Sequence, residues 1–156
     1  MLSSHYKDML RALSDEKVEY LLVGAFAMAL HGYMRTTGDL DIWVMPSPEN
    51  ADAVMRSLRR YGAPLFNLTE QDLQEPGIVF QIGVNPQRID IITDATGLDF
   101  QETYRRSILT TIDDIEVRIP SIDDLIRNKR ATGRLKDLAD AGELERIKDR
   151  GAGGVE

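Results

Sequence analysis

The chain has 156 residues, 42% of them hydrophobic and 29% charged, which suits one domain built on one core. With 19 basic and 26 acidic residues the net charge is −7, so the chain as a whole is not a general nucleic-acid binder, because phosphates attract a basic surface. It has no cysteine, which excludes disulfides, thiolate zinc sites and a cysteine nucleophile and fits a reducing compartment.

The N-terminal stretch lacks an apolar signal core. The longest apolar run, Tyr20 to Leu30, is shorter than the roughly 20 residues that cross a bilayer, so a cytoplasmic location without a membrane partner is expected. Residues 4–15 read as an amphipathic helix, with Tyr6, Met9, Leu10 and Leu13 at helical spacing. Residues 18–23 read as a buried strand ended by Gly24, and a short helix from Ala25 to Leu30 is closed by His31 and Gly32.

A second strand is expected over 40–45. Ser47-Pro48-Glu49 then starts a helix that runs to about Tyr61, with Val54, Met55 and Leu58 inside. Residues 65–76 carry no clear pattern. Strands over 78–82 and 88–93 flank the turn Asn85-Pro86-Gln87 and are expected to pair as a hairpin. A helix over 99–107 and a hairpin of 108–112 with 115–119 follow. Ser121 starts the next helix with Asp124 as capping-box partner, and residues 135–149 form the last. Residues 1–150 are expected to be one domain and 151–156 a flexible tail.

The chemistry is concentrated in Thr37-Gly38-Asp39-Leu40-Asp41-Ile42. Side chains alternate along a strand, so Asp39 and Asp41 share a face, about 7 Å apart, while Leu40 and Ile42 point to the core. Two carboxylates on one face of a buried strand repel each other and call for a compensating cation. Magnesium fits, since it prefers oxygen ligands and completes its shell with phosphate oxygens and water; manganese is an alternative. Asp90 interrupts the apolar strand Arg88-Ile89-Asp90-Ile91-Ile92 in the same way. Three carboxylates from neighbouring strands suit a two-metal clamp on an attacking hydroxyl and a leaving pyrophosphate, with Asp90 the better candidate to take the hydroxyl's proton. Gly24, at a strand-to-helix turn, permits close approach of a phosphate.

Taken in order, Tyr20-Leu21-Leu22-Val23-Gly24, His31-Gly32 and Arg35-Thr36-Thr37-Gly38-Asp39-Leu40-Asp41 resemble the DNA polymerase beta-like nucleotidyltransferase superfamily. The resemblance is greatest to its small bacterial branch of AbiEii-type toxins and minimal nucleotidyltransferases. Leu125 to Asp137, with Asn128-Lys129-Arg130 and Arg134, is similar to that branch as well. The resemblance implies an α/β fold, a short mixed twisted sheet flanked by helices with the site at one end. It implies magnesium-dependent transfer of a nucleoside monophosphate from a nucleoside triphosphate to a hydroxyl of RNA, protein or a small molecule. Asp39, Asp41 and Asp90 would be the catalytic metal ligands. Gly24, Ala25, Arg35, Thr37, Lys129 and Arg134 would meet the nucleotide. A role in a toxin–antitoxin or phage-defence pair, with an antitoxin protein or a second copy as partner, is a further implication.

Ala25 stands where the family carries a second glycine or a serine. The missing hydroxyl opens an alternative, a nucleotide- or protein-binding module of the same fold with weak or no turnover. His31 reads as structural and Trp43 as core. The basic run Arg127, Lys129, Arg130, Arg134, Lys136 reads either as a solvated helix face, paired with Asp137 and Asp140, or as a phosphate or RNA contact. The Gly-x-Gly-x-x-Gly, Gly-Lys-Ser/Thr and Gly-x-Ser-x-Gly motifs are absent from the sequence, which removes support for those enzyme classes.

Overall fold

The computed structural model describes residues 2–35 and 38–153. Helix α1 (Ser4–Asp15) starts where the Ser3 hydroxyl accepts the Tyr6 N–H, and it buries Tyr6, Met9, Leu10 and Leu13. Strand β1 (Tyr20–Val23) turns at Gly24 into the seven-residue helix α2 (Gly24–Leu30). Strand β2 (Asp39–Val44) leads to α3 (Pro48–Tyr61). Ser47 caps the start of α3 with Pro48 in its first turn, and Gly62, in the left-handed region, ends it.

The stretch without a sequence pattern holds a single 3-10 turn, Asp72–Gln74, anchored by buried Leu73. Strands β3 (Val79–Ile82) and β4 (Arg88–Ile92) form the expected antiparallel hairpin across a cis Asn85–Pro86 bond. Helix α4 (Phe100–Arg105) precedes the hairpin β5 (Ile108–Ile112) and β6 (Ile115–Ile119), and helices α5 (Ile122–Thr132) and α6 (Leu135–Gly153) follow.

The main sheet is mixed, in the order β1-β2-β4-β3. Strand β2 runs antiparallel to β1 and parallel to β4. One face is apolar throughout: Leu22, Leu40, Ile42, Ile89 and Ile91 join the main core with Leu10, Leu13, Val54 and Leu58 of α1 and α3. The opposite face is divided. Leu21, Trp43 and Phe100 form a second apolar cluster at one end, with Trp43 edge-on to Phe100 at 5.1 Å. At the other end the same face carries carboxylates.

One local expectation changes. Asp124 does not complete a capping box. The Ser121 hydroxyl accepts the Asp124 N–H, but the Asp124 carboxylate, 1% exposed, accepts two hydrogen bonds from Arg106 and one from Arg127. A bidentate guanidinium outcompetes the weaker reciprocal cap. Asp90 lies on an inner strand, since β4 sits between β2 and β3. Among the described residues no helix is long and apolar enough to cross a membrane.

Candidate metal centre

Parallel pairing sets the site. Asp41 is the direct register partner of Asp90, and Asp39 that of Arg88, so all four side chains leave the same face of the sheet. One carboxylate oxygen from each of Asp39, Asp41 and Asp90 lies within 4.8 Å of one from each of the others. Asp90 is 7% exposed, and the other two are half-buried. The approach of β4 to the core is fixed from behind, where the Tyr6 hydroxyl donates to the carbonyls of Pro86 and Arg88 at 3.1 and 3.2 Å. Burial, and then the charges of the three aspartates, raise the Tyr6 phenol above its ordinary pKa.

Arg88 holds two of the acids. Its guanidinium donates to Asp39 Oδ2 at 2.7 Å and to both oxygens of Asp90 at 3.0 and 3.3 Å. Among the described residues no hydrogen bond reaches Asp41. Burial, and next the charges of Asp39 and Asp90, push its carboxyl up to about 7, against the opposing charges of Arg88 and Lys129. A position one residue long makes this packing possible. Gly24 has φ +70°, and a Cβ there would sit 2.1 Å from Asp41 Oδ2. The sequence suggested Gly24 as room for a phosphate; the group that occupies its missing side chain is the Asp41 carboxylate. An all-oxygen donor set, convergent and under-compensated by one arginine, fits a hard divalent cation.

A cleft of about 300 Å³ opens beside Asp41, between the sheet, the 94–98 loop and α5. Val23, Ile92, Leu98 and Leu125 give it an apolar wall, while Asn128, Lys129 and Arg134 supply polar groups. Lys129 therefore shares a cavity with Asp41. Its ammonium is held by Asp137 at 3.3 Å and Asp140 at 3.5 Å, both on α6. Arg134 donates from Nε to Asp137 at 2.8 Å and is otherwise largely exposed. Arg35 does not join the aspartate trio; its guanidinium donates to both oxygens of Asp140 at 2.7 Å. Ala25 is half-buried against the main core. Thr37 lies outside the described residues.

The basic run is not a free patch, since Arg127 pairs with Asp124 and Arg130 with Glu145. His31 is structural, donating from Nε2 to the Pro120 carbonyl at 2.8 Å. Sequence reasoning passed over Arg88, although it lies two residues before Asp90 and the period of a strand places both on one face. Asp137 and Asp140 pair with bases of that run as expected, Asp137 with Arg134 three residues before it and both with Lys129 of α5, and Asp140 also takes Arg35 from the segment before β2.

No protein-family model matches the chain, and no curated protein matches it. Among solved structures it is similar to a presumed nucleotidyltransferase from Thermotoga maritima, with 17% identity, a TM-score of 0.55 and 96% of each chain covered. At that identity the likeness speaks for the fold. The chain has a nucleotidyltransferase fold, a small mixed sheet flanked by helices and followed by C-terminal helices.

Proposed function

We propose that this chain transfers a nucleoside monophosphate from a nucleoside triphosphate to a hydroxyl acceptor, with Asp39, Asp41 and Asp90 as ligands for divalent cations. The acceptor oxygen forms a bond to the α-phosphorus, the bond from that phosphorus to the bridging oxygen breaks, and pyrophosphate leaves. Magnesium, when bound, supplies positive charge against the triphosphate and makes a hydroxyl more acidic. Asp90 orients the acceptor hydroxyl and accepts its proton at a carboxylate oxygen, with Arg88 fixing the rotamer. The cleft beside Asp41 excludes water from the nucleotide, and Lys129 and Arg134 meet its phosphates.

The observation that carries this reading is the convergence of three carboxylates on one sheet face in a nucleotidyltransferase fold. Incubation with the four triphosphates, magnesium and RNA, protein and small-molecule acceptors tests it by pyrophosphate release. The wild type releases pyrophosphate with at least one acceptor, and Asp41→Asn lowers the rate at least about 100-fold while remaining folded. A fully active Asp41→Asn removes the mechanism.

A second reading rests on Arg88. Its guanidinium already compensates Asp39 and Asp90, which suits a module that holds nucleotide without turnover. Nucleotide binding without pyrophosphate release in any acceptor class selects it. Membership of the AbiEii-like branch, with a toxin role, is supported by the Arg35–Asp41 motif; growth arrest on expression, relieved by a neighbouring gene's product, tests that role.

A further inference from the structure

Two carboxylates on α6 are buried almost completely, Asp137 at 3% and Asp140 at 2% exposure. Neither touches the aspartate trio. Each is nevertheless tied to a cation that the nucleotide reading needs. Asp140 accepts two hydrogen bonds from Arg35 and one from the Tyr33 hydroxyl at 3.4 Å, and pairs with the Lys129 ammonium at 3.5 Å. Asp137 takes Lys129, the Thr132 hydroxyl at 2.7 Å and Arg134. Burying a carboxylate is costly unless it is paired, so this network sets where its cations can sit.

Lys129 is the residue most affected. A lysine ammonium has three N–H donors on a flexible four-carbon stem. Here the ammonium donates to Asp137 Oδ1 at 3.3 Å and forms an ion pair with Asp140 Oδ2 at 3.5 Å, and the side chain is 16% exposed. Two acceptors do not exhaust three donors, and Lys129 lines the same cleft as Asp41. Fixing the ammonium before a ligand arrives removes the cost of ordering it on binding.

We infer that Asp140, together with Asp137, is a positioning residue: the pair holds the Lys129 ammonium beside Asp41 with one N–H directed to the phosphates of a bound nucleotide. This rests on the nucleotide reading above. It makes a prediction opposite in sign to simple electrostatics. Removing a negative charge near the cleft should strengthen anion binding if only the summed field matters. Loss of position weakens it.

The test is calorimetric titration of the full chain with the α,β-methylene analogues of the four triphosphates in the presence of Mn²⁺. Wild type, Asp140→Asn, Lys129→Met and the double variant are compared, with circular dichroism and unfolding midpoints as folding controls. Asp140→Asn should weaken the analogue that the wild type binds by roughly tenfold, the worth of one charge-assisted hydrogen bond. In the Lys129→Met background the same substitution should have little effect, because it acts through that ammonium. If Asp140→Asn does not fold, Asp140→Glu, which keeps the charge and moves it by one methylene, carries the same expectations. Unchanged or tighter binding, or effects that add in the double variant, overturns the inference and leaves the nucleotide reading standing. A wild type that binds none of the four analogues overturns both.

Discussion

The surroundings of Asp41 disfavour its own charge. Its carboxyl is raised from 3.8 to about 7, by burial first and then by Asp39 and Asp90. A carboxyl with a raised folded pKa binds its proton more tightly in the fold than in the unfolded chain. Stability from that proton is complete below about pH 4 and is lost as the pH rises through about 7. In a chelating buffer Asp41→Asn, which cannot ionise, should therefore be more stable than the wild type at pH 8, by of order 3 kcal/mol. At pH 4 the two should be close. Urea unfolding at both values checks this; an advantage that is the same at both contradicts the assignment. The variant expected to lose turnover is thus expected to gain stability, as befits a group kept for chemistry and not for the fold.

At the scale of elements, the strands and helices follow from local pattern. Ser47-Pro48-Glu49 starts α3 and Gly62 ends it, and Asp113-Asp114 turns the β5–β6 hairpin with both residues at positive φ. What local pattern does not carry is the choice of distant partner. Asp124 looked like a cap because the residue three before it is Ser121; its charge is instead claimed by Arg106, 18 positions away. That pair ties the end of α4 to the start of α5. Asp124→Ala should lower stability by about 2 kcal/mol, the worth of the lost charge-assisted bonds, as the exposed arginines return to water. Manganese affinity should not change, and a loss of metal binding would show that α5 reaches the site through this contact.

At the scale of the molecule, the candidate site was legible because strand periodicity is rigid. Asp39, Asp41 and Asp90 interrupt apolar strands, and once β2 and β4 pair in parallel, the register brings the three together. The cations were less legible. The basic run on α5 resembled a phosphate-binding face, yet buried aspartates of α6 and other acids hold Arg127, Lys129, Arg130 and Arg134 in ion pairs. A lysine or arginine has a long stem, and its sequence neighbours do not say which carboxylate will capture its end.

The central claim is that the three aspartates take up divalent cations together with a nucleoside triphosphate. It is tested most directly by titrating Mn²⁺ into the chain with and without an α,β-methylene triphosphate, followed by the loss of the free-ion paramagnetic resonance signal. The wild type should bind manganese more tightly with the nucleotide present, and Asp39→Asn and Asp90→Asn should each lose at least about tenfold in affinity while remaining folded. No uptake by the wild type with nucleotide, or equal uptake by all three proteins, would contradict it.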